Sequence, residues 1–136
     1  MSFRPPPRFL VTDTTAGTTV CTSGRVANTF LSRLVGLLGG RCLEPGGGLL
    51  IRPSSGVHTF GMRFAIDVVA LDRRNRVLGA WSNVGPWRIR GVSLSTRSIL
   101  ELPAGRIHEC GIAPGDQLQM ERLTAGLSAE TQLHSA

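Results

Sequence analysis

Ile66-Asp67-Val68-Val69-Ala70-Leu71 runs into Asp72-Arg73-Arg74-Asn75-Arg76 and returns through Val77-Leu78-Gly79-Ala80-Trp81, and this stretch decides the fold. Its first run is apolar except at Asp67. It has the length of a strand and the continuity of one buried on both faces. The polar residues from Asp72 to Arg76 then make a hairpin tip, and an apolar run returns from it. Because side chains alternate along a strand, Asp67 shares a face with Val69 and Leu71. A carboxylate on an apolar face requires a partner, since an unpaired buried charge is very costly. His58 or an arginine such as Arg63 can supply one. Backbone N–H groups can also do so, and Asp67 is then a structural tie rather than part of a site.

Working outward, the punctuation is that of a β protein. Phe9-Leu10-Val11 and Thr18-Thr19-Val20-Cys21 read as strands about a turn at Thr14 to Gly17. Leu49-Leu50-Ile51 follows Gly46-Gly47-Gly48, a run that lacks the lysine and the helix of a phosphate loop. Ser98 to Leu102 alternates around Glu101, which therefore faces away from Leu100 and Leu102, toward solvent or a shared polar pocket. A helical turn from Gly105 to Cys110 stops at Gly111, and Pro114-Gly115-Asp116 turns the chain into a last strand, Gln117 to Glu121. One longer helix is predicted. Asn28 or Thr29 caps it, Phe30, Leu31, Leu34, Val35 and Leu38 form its apolar stripe, and Gly39-Gly40 ends it. Together these elements predict a mainly β single domain, a jelly-roll-like sandwich or small barrel with one amphipathic α-helix packed across it. Residues 1–8 read as a flexible Pro-rich arm, 9–123 as the β-rich domain and 124–136 as a frayed tail.

Composition narrows the chemistry. A chain of 136 residues with 41 % hydrophobic and 18 % charged positions is one folded domain. It holds no lysine and no tyrosine, so all 15 basic residues are arginine. A Walker lysine, a Schiff-base lysine and a tyrosine acid are thereby excluded. The net charge of +6 is spread from Arg4 to Arg122. Cys21, Cys42 and Cys110 are odd in number and far apart, which argues for free thiols and a cytoplasmic location. No signal peptide is read at Met1 to Arg8, and the longest apolar run, Phe30 to Leu38, is too short to span a bilayer. No membrane contact is expected on that basis. His108-Glu109-Cys110 offers metal ligands without a third or fourth at the usual spacing, so neither metal nor cofactor is predicted. No nucleophile elbow is present, and the residues point away from an enzyme.

Four segments carry a family resemblance: Arg33 to Leu38, His58 to Asp72, Leu100-Glu101-Leu102-Pro103-Ala104-Gly105, and Gly111-Ile112-Ala113-Pro114-Gly115-Asp116. In this order they resemble the bacterial and archaeal family called domain of unknown function 192. The resemblance implies an all-β core of jelly-roll or barrel type with one helix across it, and it implies no activity. Gly61 stands where many members have tryptophan, and Arg73 to Arg76 replaces a more acidic hairpin.

Two functional expectations follow. In the first, His58, Asp67 and Glu101 converge with Met62 and Arg63 on a pocket for a small polar ligand or a protein partner. In the second, Arg73, Arg74, Arg76, Arg88 and Arg90, with Arg97, grip nucleic acid or another polyanion, and Trp81 and Trp87 offer stacking surfaces.

Overall fold

The structure, a computed structural model, describes residues 7–27, 45–59 and 64–124. Its strands are β1 (Phe9–Asp13), β2 (Thr18–Ala27), β3 (Gly47–Ile51), β4 (Val57–His58), β5 (Ile66–Leu71), β6 (Val77–Val84), β7 (Ile89–Arg90), β8 (Ser98–Pro103) and β9 (Leu118–Arg122). One short helix among the described residues, α1 (Arg106–Cys110), lies between β8 and β9. The longer helix read from Phe30 to Leu38 falls outside the described residues, as do the arm to Pro6 and the tail from Ala125.

Seven strands form one sheet in the order β6-β5-β8-β3-β2-β1-β9, and β4 pairs with β7 in a separate ribbon. All neighbours are antiparallel except β2 and β3, whose parallel register (Arg25 beside Leu49, Ala27 beside Ile51) demands a crossover connection. The sheet curls into a half-barrel until its two edge strands approach each other. Arg76 bridges Gln117, Asn75 accepts the Leu118 N–H at 3.0 Å, and Asp116 accepts the Val77 N–H at 2.8 Å. Edge groups that would otherwise invite pairing with another chain are thereby used up at that end.

Strand β5 is buried at all six positions, as its continuous apolar run predicts. Alternation divides it between two cores. Val69 and Leu71 join Val20, Leu50, Leu100 and Leu102 on one face, which α1 covers with Ile107 and Cys110. Ile66, Val68 and Ala70 join Leu49, Ile51 and Ile99 on the other, which the ribbon covers with Val57. There the backbone comes so close that a Cβ on Gly91 would stand 2.9 Å from Ile99 and 3.3 Å from Ala70.

Candidate functional site

Asp67 is fully buried on the α1 face, and both of its carboxylate oxygens are occupied by backbone donors. The register steps from Ile66–Val84 to Val68–Trp81, so β6 bulges opposite Asp67 at Ser82 and Asn83. Asn83 there has φ 54°, and its N–H, turned out of the ladder, donates to Asp67 Oδ1 at 2.8 Å. Oδ2 accepts the Ile107 N–H at 2.8 Å, in the first turn of α1. Sequence reasoning missed the residue that completes this side, Arg106. Its Nε and Nη2 donate to the Val20 and Thr19 carbonyls at 2.8 and 2.7 Å, and its Nη1 pairs with Glu109 at 2.8 Å. The Arg106/Glu109 spacing of one helical turn was the available signal.

Glu101 is also fully buried, but on the opposite face. It stands directly across from Leu49 on one side and Val68 on the other, and opposed residues in antiparallel strands point the same way. The sequence left solvent or a polar pocket open for it; its neighbours in the row are aliphatic and solvent is excluded. Asp67 opposes Leu102, so the register sends the two carboxylates to different faces of one sheet and the expected three-residue convergence does not form. Pleat alternation is the reason: positions of opposite parity on paired strands cannot share a face. His58 belongs to the ribbon that covers the Glu101 face. It is half-buried, opposite Ile89, while its neighbour Val57 enters the second core. Met62 and Arg63 lie outside the described residues.

The arginines divide in the same way. Arg73, Arg74 and Arg76 are exposed at the β5–β6 tip, where Asp72 Oδ1 accepts the N–H groups of Arg74 (2.8 Å) and Arg76 (2.9 Å). The Arg76 N–H bond above all, joined by the Arg74 N–H bond and the Arg76 and Arg74 charges, holds the Asp72 carboxyl below its ordinary range against the opposing effect of burial. Trp87, Arg88 and Arg90 follow the far end of β6, a strand of eight residues and hence about 25 Å long. The chain then returns over β5, a Cβ on Gly91 standing 3.3 Å from Ala70, and Arg97 donates its N–H to the Leu71 carbonyl at 2.9 Å, beside the tip. Trp81 is no exposed stacking surface: it packs half-buried on the second core, its ring lying over Gly79. Trp87, by contrast, is 67 % exposed.

His108 and Glu109 are exposed on α1 while Cys110 is buried, its Sγ 3.4 Å from the Thr19 carbonyl. Burial pushes the Cys110 thiol up and raises that of Cys21 to about 11. Both are free thiols kept protonated, which is the reverse of what a nucleophile needs. A further pair was not foreseen. Asp13 ends β1 with Oδ1 accepting from Thr15 and Ala16, and its carboxyl meets that of Asp116, whose Oδ2 accepts from Ala113. Burial first, and then the bond to Asp116, raise Asp13 above its ordinary value.

The model of the DUF192 family, described as uncharacterized ACR, matches residues 11–120. Comparison with the curated proteins found no match. Two solved structures share the fold. One is a protein of unknown function from Novosphingobium aromaticivorans, 22 % identical, with 83 % of each chain covered and a TM-score of 0.67. The other is a putative transcription regulator from Sinorhizobium meliloti, 20 % identical, covering 88 % of this chain and 97 % of that one, with a TM-score of 0.69.

Proposed function

The chain belongs to the domain of unknown function 192 family, an uncharacterised one, and from that premise we propose that residues 9–123 are a binding domain whose ligand is read on the ribbon side of the sheet, by Glu101 and His58. Glu101 carries the reading. A wholly buried carboxylate stands in a cross-strand row between Leu49 and Val68. Ionisable groups kept in such surroundings concentrate at functional positions. The ligand that fits is small and polar and brings a hydrogen-bond donor or a positive charge to the carboxylate. The free thiols Cys21 and Cys110 support residence in a reducing cytoplasm. Among the described residues no helix is long and apolar enough to cross a membrane.

Native mass spectrometry of the protein purified gently from its own host tests this. The wild type is expected to carry a retained mass that Glu101→Gln and His58→Ala lose while keeping the circular dichroism of the folded chain. A wild type that carries nothing, or a Glu101→Gln variant that keeps the same mass, overturns the reading.

A further inference from the structure

The segment from Gly85 to Arg97 exposes Trp87, Ile89, Val92 and Leu94, the last at 96 %, and contains Arg88, Arg90 and Arg97 but no acidic residue. Apolar side chains held out in water on a mobile loop would say little. These are held on a fixed one. Thr59, 1 % exposed, donates its hydroxyl proton to the Gly85 carbonyl at 2.7 Å and accepts the Arg88 N–H at 2.8 Å. Its backbone N–H reaches the Arg88 carbonyl and its carbonyl takes the Trp87 N–H, which fixes Trp87 at φ 63° with its ring outward. Thr96, equally buried, donates to the Gly91 carbonyl at 2.8 Å, and Ser93 bonds the Ser55 carbonyl. Arg97 Nη1 holds the carbonyls of Leu94 (2.6 Å) and Thr96 (3.3 Å), and Arg90 Nη1 holds that of Ile89 (2.8 Å). Each guanidinium keeps N–H donors on its other nitrogens. Beside the base of the loop opens a cavity of about 310 Å³ lined by Pro53, Ser54, Ser55, Thr96 and Arg97.

We propose that this segment is a docking surface for an anionic phospholipid bilayer, with Trp87 and Leu94 entering the acyl boundary and Arg88, Arg90 and Arg97 contacting headgroup phosphates. Apolar tips alternating with arginines match the layered chemistry of a bilayer interface, where hydrocarbon lies a few ångströms below a sheet of negative charge. Aliphatic side chains as exposed as Val92 and Leu94 gain nothing from a nucleic acid, which offers base faces to aromatic groups and phosphates to cations. The hydroxyls and guanidinium around the cavity suit a phosphate, and the pinned loop needs no ordering on contact. Peripheral docking of this kind requires no spanning segment, so the absence of one from the sequence does not bear on it.

Vesicle sedimentation of the full chain at physiological ionic strength tests the surface. The wild type is expected to sediment with vesicles of phosphatidylcholine and phosphatidylglycerol, with a blue shift in tryptophan emission, and weakly with phosphatidylcholine alone. Leu94→Asp and Trp87→Asn (asparagine tolerates the left-handed backbone at position 87) should each lower the partition coefficient at least tenfold with circular dichroism unchanged. The triple variant Arg73→Ala, Arg74→Ala, Arg76→Ala should lower the partition coefficient by less than Leu94→Asp does, because it thins the positive field beside Arg97, whose N–H donates to the Leu71 carbonyl at 2.9 Å, but leaves the apolar tips in place. Failure of the wild type to sediment with the anionic vesicles overturns the proposal. So does equal binding by Leu94→Asp, which reduces the contact to charge alone. Displacement of the protein from vesicles by single-stranded RNA that Leu94→Asp still binds would reassign the surface to nucleic acid.

Discussion

Replacing Asp67 by asparagine removes one acceptor from a buried knot and puts an amide N–H in its place. The wild-type carboxylate takes two backbone donors at 2.8 Å, from Asn83 in the β6 bulge and from Ile107 in α1. Asparagine can serve one of them through its single oxygen. The other N–H is then left facing a second donor inside a fully buried site, a loss of about 1–3 kcal/mol for the unmet group. Hydrogen bonds to a charged acceptor are also stronger than those to a neutral one, so the surviving bond weakens by about 1 kcal/mol. The expected destabilisation is about 2–4 kcal/mol, a melting temperature lower by roughly 10 °C for a domain of this size. Urea unfolding followed by tryptophan emission measures it, and an unchanged m value would show that the loss lies in the native state. If Asp67→Asn unfolds within about 0.5 kcal/mol of the wild type, the structural assignment of Asp67 is refuted. Its loss of a retained ligand at full stability would move Asp67 into the binding site.

Three further outcomes are expected. Because Asp13 is raised by burial and by Asp116, its folded form prefers the proton: that stability is complete below the unfolded value near 3.8 and is lost as pH rises through the raised one. Asp116→Asn, whose amide can donate to Asp13 while its oxygen still accepts from Ala113, should flatten this decline and raise the melting temperature at neutral pH; a thermal scan across acidic to neutral pH with an unchanged slope would refute it. Gly79→Ala places a Cβ 2.4 Å from the Trp81 ring, which must swing out at a cost of about 1–3 kcal/mol and shift its emission to the red. An unshifted spectrum would show that the ring does not lie there. With Cys42 replaced by serine, Cys21, at about 11, and Cys110 should resist iodoacetamide at pH 8 until urea unfolds the chain; prompt alkylation of the native protein would contradict their burial.

The hairpin was legible because its signals are local. The continuous run Ile66 to Leu71 became β5 at the same residues, and the tip from Asp72 to Arg76 turned where polar residues accumulate. Other strands were found but drawn short: β2, read as Thr18 to Cys21, continues through Gly24 to Ala27. The ribbon of β4 and β7 was not read at all. Two residues on each side carry no periodicity, and they pair only because Thr59 and Thr96 anchor the loops around them. The site was half legible. Asp67 and Glu101 were recognised as polar intruders in apolar strands, and the alternation that set Asp67 with Val69 and Leu71 held. Whether Asp67 and Glu101 share a face depends on the pairing register of β5 with β8, more than thirty residues apart in sequence, and no local pattern encodes it.

That register also separates stability from recognition. On the α1 face the chain itself holds Asp67 and Arg106: Asp67 closes the bulge and seats α1, and Arg106 ties α1 to β2. Substitutions there act through folding. The other face carries Glu101 in an aliphatic row and is covered by a ribbon whose outer loops expose apolar groups. The net charge of +6 follows the same division. At the β5–β6 tip the Asp72 carboxylate is met by the Arg74 and Arg76 charges, whereas the segment from Gly85 to Arg97 holds three arginines and no acidic residue. A positive field not cancelled at its source reaches furthest toward an anionic surface. The ribbon side, rather than the more arginine-dense hairpin, is therefore the side from which an encounter with a charged partner would be steered.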